Sequence, residues 1–368
     1  MITRRGFARG LAGIAALTET ALAQRALVGG HWDPDTVWLN ANENPDGPPK
    51  AALEAAARAL PESWRYRFQE FRAFEAALAR GERLEPEQLI AGAGSTEVLN
   101  AAVAAFTSAT LPLIAADPTF EAPAETAKAL GRPVALTPMT GDWAADVKRM
   151  AEEAARAGGG LVYLCNPNNP TSSMTPRERV RWLAANLPAR AALLIDEAYL
   201  HFVESFETES AMDLAREANN VIVTRTFSKI YGMAGLRAGF AAGNAELIRR
   251  MRPFRGNPMS IVSIRAALAA AAEGPRIIPE RRTRLIRERR ALCEWARSRR
   301  MGYIEPYGNF VMLDAGRDAK QLGLELLKRK VAAGRPFPAL PNMLRVTVGT
   351  AGEMAKFRAA FEDVSRAG

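Results

Sequence analysis

The chain has 368 residues but only two cysteines, two histidines and few lysines, and each scarcity removes a class of protein. Cys165 and Cys293 are too few for a disulfide framework, and Cys165 sits in an apolar run, so both are expected as free thiols. Two histidines without a Cys/His cluster give no zinc-ligand pattern, and no metal is expected. The apolar segment near the start, Leu11 to Leu17, is far too short to span a bilayer, so no stable membrane insertion is expected. There is no internal repeat, and no low-complexity segment beyond alanine richness. The net charge of +9 is scattered arginine. Its densest patch, Arg281-Arg282-Thr283-Arg284 with Arg287-Glu288-Arg289-Arg290, lacks interleaved aromatics. It reads as the wet face of a long helix, and no nucleic-acid partner is expected.

What the chain does have is a hydrophobic content of 48%, enough for a large core split between two lobes, and one well-placed lysine. Lys229 is one of eight lysines among 49 basic residues. It lies in Thr226-Phe227-Ser228-Lys229, after the apolar run Asn220 to Thr224 and before Ile230-Tyr231-Gly232-Met233-Ala234-Gly235-Leu236-Arg237. Only an amine loses its proton and attacks a carbonyl carbon, which arginine does not do. Hydroxyls at 226 and 228, a guanidinium at 237 and glycines that admit close backbone approach suit an anionic aldehyde such as pyridoxal 5′-phosphate (PLP). Taken alone, Lys229 reads equally as a surface lysine in a glycine loop. Two further runs weigh against that. Ala192 to Ile195 ends in Asp196-Glu197-Ala198-Tyr199, and Leu161 to Cys165 ends in Asn166-Pro167-Asn168-Asn169-Pro170-Thr171. Three strands thus deliver polar groups at their C-terminal ends, where open α/β sheets bind ligands.

These pieces, together with Leu39 to Pro45, Gly92 to Glu97, Asp117-Pro118-Thr119-Phe120 and Leu344 to Thr350, resemble the class I/II aminotransferases. Within that group the chain resembles the histidinol-phosphate aminotransferase branch, over roughly residues 35 to 365. The resemblance implies fold type I of the PLP-dependent transferases: a large domain with a mostly parallel, doubly wound α/β sheet, plus a small α+β domain. It implies Lys229 as the amine that holds the cofactor aldehyde and moves the substrate proton. Asp196 faces the ring nitrogen, and Tyr199 and Asn169 face the ring's phenolic oxygen. Phe120 stacks on the ring. Gly94, Ser95, Thr96, Thr226, Ser228 and Arg237 hold the phosphate. Tyr66 reaches the neighbouring subunit's cofactor in a homodimer, although Arg67 follows it where the family commonly has proline. Arg345 forks onto the substrate carboxylate, with Arg335 as a second anion site and Asn42 also on the substrate. The partners are an amino donor, of histidinol phosphate or aromatic type, and a 2-oxo acid, 2-oxoglutarate. The same motifs also admit a decarboxylase or β-eliminating lyase, because all begin by engaging the donor amine. A non-catalytic member of the fold would lack Lys229 or Asp196, and both are present.

Two departures bear on the substrate. Asp46 stands where the family's arm usually has an aromatic, and if it points inward it repels a substrate phosphate. Ser172 stands where glycine is usual. In organisation, residues 1–23 resemble a twin-arginine signal, with Thr3-Arg4-Arg5-Gly6-Phe7 and an Ala21-Leu22-Ala23 cleavage pattern, so export to the periplasm is expected and a cytoplasmic enzyme is the alternative. Residues 24–50 read as an arm, 51–258 as the large cofactor domain, and 259–368 as the small domain, which the arm completes. Strands are expected at 111–115, 133–136, 161–165, 193–195, 221–223, 240–242, 310–313 and 344–348. A long helix is expected from about Ile261 to Arg300, and another from Ala319 to Ala333.

Overall fold

Short apolar runs bounded by turn residues assemble into one central sheet. The computed structural model describes residues 33–205, 209–256 and 258–367. Seven strands make the sheet: β2 (Leu89–Gly92), β3 (Leu113–Asp117), β4 (Val134–Pro138), β5 (Gly160–Cys165), β6 (Ala191–Asp196), β7 (Val221–Thr226) and β8 (Gly239–Gly243). Their spatial order is β2-β8-β7-β6-β5-β3-β4, and only β8 runs against its neighbours. Helices cover both faces, which is why β5 and β6 are buried along their whole length and read as continuous apolar runs. Successive side chains alternate between the two cores. Leu161, Tyr163 and Cys165 join one, whereas Val162 and Leu164 join the other.

The expected strands are present, and three short ones were not anticipated. The four residues of β2 pass directly into a glycine turn. Val37–Trp38 (β1) pairs in parallel with Val331–Ala332 (β10), far away in sequence. The helix expected to reach Ala333 therefore ends at Lys328, and the next residues turn into β10. Phe310–Asp314 (β9) and Met343–Thr347 (β11) form an antiparallel pair. The long helix runs from Ile261 to Ser298 and accommodates Pro275 and Pro279. Its arginine patch is more than a wet face. Arg289 is buried, donating to the carbonyls of Phe202 and Gly308, and Arg281 donates to the carbonyls of Ile230 and Gly47. Both cysteines are buried free thiols. Among the described residues, no helix is long and apolar enough to cross a membrane and no metal-ligating cluster forms.

Candidate active site

The register of the sheet sets the floor of the site. Cys165, Asp196 and Thr224 are direct neighbours across β5, β6 and β7. The Asp196 carboxylate is buried and accepts three hydrogen bonds: Thr224 Oγ1 at 3.1 Å, the Ala198 amide at 3.2 Å and Tyr163 Oη at 3.2 Å. Burial outweighs these donors and raises the carboxyl from 3.8 to about 6. Neither Tyr163 nor Thr224 was singled out in the sequence. The signal was the two-residue strand period, which puts Tyr163 on the face of Cys165, and Thr224 on that of Ile222.

The loop after β7 brings Lys229 over this floor. Its Nζ donates to the Ala41 carbonyl at 3.1 Å and lies 5.5 Å from the Tyr199 ring centroid. Burial, with a contribution from Arg345, lowers the amine from 10.5 to about 8, against the opposing pull of Glu43 and Asp196. Tyr199 is buried, which keeps its phenol protonated, and its Oη accepts from Asn42 Nδ2 at 3.2 Å. Asn42 itself is pinned by Thr347, whose Oγ1 accepts from the Asn42 amide at 2.9 Å.

Beside Lys229 lies a cradle of donors. Ser228 Oγ accepts from Arg237 Nη1 at 3.3 Å and is 3.0 Å from Thr226 Oγ1. The helix Ser95–Phe106 points its N-terminus, with Ser95 and Thr96, at the same place. Two glycines make that approach possible. A Cβ on Gly94 (φ 85°) would lie 2.2 Å from an Arg237 guanidinium nitrogen, and one on Gly239 would lie 2.4 Å from the Ser95 amide nitrogen. A helix N-terminus, hydroxyls and an arginine gathered in one place are the donor set that suits a phosphate.

These groups line one cavity of about 360 Å³, together with Phe120, Asn169, Arg335 and Arg345. Arg345 is buried. Its Nη1 donates to Asn169 Oδ1 and its Nη2 to the Asn40 carbonyl, both at 2.7 Å, while its buried Nε has no partner. No carboxylate pairs with it among the described residues, and burial lowers it to about 10. Since Arg345 occupies the Asn169 carbonyl oxygen, the donor that Asn169 can offer a ligand is its amide nitrogen. Arg335 instead is ion-paired with Glu121.

Some expected site residues fall elsewhere. Tyr66 is 71% exposed, stacked on Phe68, and does not reach the cavity of its own chain. Asp46 does not line the cavity either. Its carboxylate turns to the long helix, accepting from Arg284 at 2.7 Å with Arg281 nearby, so it offers no repulsion to a substrate phosphate there. Ser172 takes the left-handed conformation that suits glycine (φ 62°), and its hydroxyl accepts from the Gly308 amide at 2.9 Å, which offsets the strain. The twin-arginine pattern lies outside the described residues.

Comparison with known proteins agrees with this arrangement. Residues 34–361 match the family Aminotransferase class I and II. The chain is 35% identical to a histidinol-phosphate aminotransferase of Symbiobacterium thermophilum over 329 residues, covering 88% of this chain and 89% of that one. It is 34% identical to histidinol-phosphate aminotransferase 2 of Methylococcus capsulatus, covering 89% and 90% respectively. Its fold superposes on the crystal structure of histidinol-phosphate aminotransferase from Sinorhizobium meliloti in complex with PLP with a TM-score of 0.85, at 26% identity and with 93% and 94% coverage. A lysine above a buried carboxylate, in a family matched along nearly the whole described chain, leaves one conclusion: the protein belongs to the class I and II aminotransferases and is a PLP-dependent transaminase.

Proposed function

We propose that the enzyme moves an amino group from a donor with one anionic end to 2-oxoglutarate, working as a homodimer. That end is the phosphate of a histidinol phosphate-like amino alcohol, the substrate named for the relatives, or the carboxylate of an aromatic amino acid. The observation that carries the reading is Arg345, a buried guanidinium in the cavity wall with an unsatisfied Nε and, among the described residues, no carboxylate partner. A buried unpaired charge is costly unless an anion arrives to meet it.

The residues present fit the cofactor, because the bare backbone at Gly94 lets the Arg237 guanidinium lie against the turn that opens the Ser95 helix, beside the Ser228 hydroxyl. Bound there, PLP supplies a ring that accepts the electron pair released at the donor's Cα. Ser95, Thr96, Ser228 and Arg237 hold the phosphate, with Thr226 supporting Ser228. Asp196, as the anion, would favour a proton on the ring nitrogen. Tyr199 and the Asn169 amide would donate to the ring's phenolic oxygen, and Phe120 would pack against the ring. Lys229 would hold the aldehyde carbon, and its amine is placed to carry the proton taken from the donor's Cα. Arg345 orients the donor by its anion. Asn42, which meets Tyr199, fixes that phenol's direction.

The test is a donor panel followed by absorption of the PLP-loaded protein, with 2-oxoglutarate added second. Loss of the visible band on adding one donor, and its return with 2-oxoglutarate, identifies the donor. Release of carbon dioxide or ammonia without return of the band defeats the reading. In the same assay Arg345→Gln raises KM for donor and 2-oxoglutarate by about 10²-fold while kcat changes far less, since a charge-assisted fork is lost from both bound states.

The dimer part of the proposal rests on Tyr66, exposed next to exposed Trp64 and Phe68. Tyr66→Phe weakens PLP binding by about tenfold, the value of one hydrogen bond to a charged group. Unchanged affinity removes the cross-subunit role. Export by the twin-arginine route remains part of the proposal and rests on Arg4-Arg5 and the Ala21-Leu22-Ala23 pattern alone.

A further inference from the structure

Two arginines of the cavity wall lie against the buried Phe337 ring, Arg335 at 4.3 Å and Arg345 at 5.2 Å from its centroid. They are not equivalent. Arg345 meets only neutral oxygens, whereas Arg335 is ion-paired with Glu121. Glu121 follows Phe120 directly and precedes the helix Ala122–Ala129, so the pair joins the segment after β3 to the segment between β10 and β11. Glu125, one helical turn on, lines the same cavity and adds a second carboxylate to that wall.

We propose that Glu121 decides which anion the donor carries. By cancelling Arg335 it leaves Arg345 as the one cavity arginine outside the phosphate cradle whose charge is not offset, so a carboxylate-ended donor is preferred to one ending in a phosphate monoester. A carboxylate carries one charge and forks onto Arg345 alone. A phosphate monoester carries nearly two at neutral pH. To balance it, Arg335 must leave Glu121, or the dianion must sit facing that carboxylate, and like-charge juxtaposition discriminates strongly against a ligand. Glu121 thus acts as a specificity determinant through Arg335. The inference rests on the transaminase reading above.

Histidine and histidinol phosphate make a matched pair of probes, identical except at this end. With the loaded holoenzyme, kcat/KM is measured for both donors in the wild type, Glu121→Gln and Glu121→Gln/Arg335→Gln, with phenylalanine as a further carboxylate donor. The wild type prefers histidine. Glu121→Gln shifts the ratio toward histidinol phosphate by about tenfold, the effect of one facing charge removed, and the double variant reverses the shift. Glu121 has its side chain 36% exposed, so its amide variant keeps the fold. A wild-type preference for histidinol phosphate, or a ratio that moves less than threefold in Glu121→Gln, overturns the inference. Transfer from none of the three donors defeats the transaminase reading, and this inference falls with it. Transfer with an unmoved ratio defeats only the role of Glu121.

Discussion

Replacing Lys229 with alanine lowers kcat by at least about 10⁴-fold, the upper range of what one positioned proton carrier contributes, with the covalent role lost as well. Among the described residues no other amine lines the cavity to take over. Asp196 also lines the cavity, but it is engaged with Thr224, Tyr163 and Ala198 on the floor. The phosphate cradle does not involve Lys229, so the variant still binds PLP, with the spectrum of the free aldehyde. Retained turnover, or an unaltered visible band, would defeat the assignment. The lowered basicity of the amine adds a pH signature. Only the neutral amine attacks a carbonyl, so the rate of PLP loading climbs with pH and levels off just above about 8, well short of 10. The same shift acts on stability. Between about 8 and 10.5 the unfolded chain keeps the Lys229 proton that the cofactor-free folded chain has lost, so this residue's contribution to stability rises with pH across that window. Lys229→Ala lacks that rise.

Strand ends were the most legible part of this molecule, because helices on both faces force β5, β6 and β7 to be apolar up to their last residues. A polar group there marks the edge of the core. Asp196 and the loop carrying Lys229 could be read that way, and the structure gathers both into one cavity. Contacts between distant segments were not legible. Val331–Ala332 continues an alanine-rich helical pattern locally and becomes a strand only because Val37–Trp38 pairs with it. Asp46 is chemically able to face either the cavity or the long helix, and Arg284 decides between them. Tyr163 and Thr224 look like core residues, since half of every buried strand faces the wrong side for chemistry. Only the cross-strand register shows that they meet Asp196. Glu121 adjoins a residue that the sequence did single out, yet its meaning comes from Arg335, which no local pattern connects to it.

Asp196→Asn separates stability from activity, and the two move in opposite directions. In the cofactor-free chain the carboxyl is raised from 3.8 to about 6, so its charge at pH 7 carries a penalty on the order of 3 kcal/mol. The sign follows from proton binding. Between about pH 4 and 6 the folded chain holds a proton that the unfolded chain has released, so this residue favours folding below about 4 and loses that contribution as pH rises through 6. Asparagine removes the charge. Its oxygen still accepts from Thr224 and the Ala198 amide, while its amide group meets the Tyr163 hydroxyl, which turns to accept. The exchange of one good acceptor for a neutral pair offsets part of the gain, leaving the empty variant more stable at pH 7 by about 1–2 kcal/mol. Activity goes the other way. Without the Asp196 anion the floor would offer nothing to favour a proton on the ring nitrogen, and kcat is expected to fall by about 10²- to 10³-fold, as when one preorganised electrostatic partner is lost from an active site. Loading reverses the ranking as well. A protonated ring nitrogen would meet the wild-type carboxylate as an opposite charge, so PLP is expected to raise the thermal midpoint of the wild type more than that of the variant. Melting curves of empty and loaded protein at pH 5 and pH 8 read all of this together. An empty variant less stable than the wild type at pH 8, or a loaded variant with full turnover, would show that Asp196 has a purely structural place in the floor.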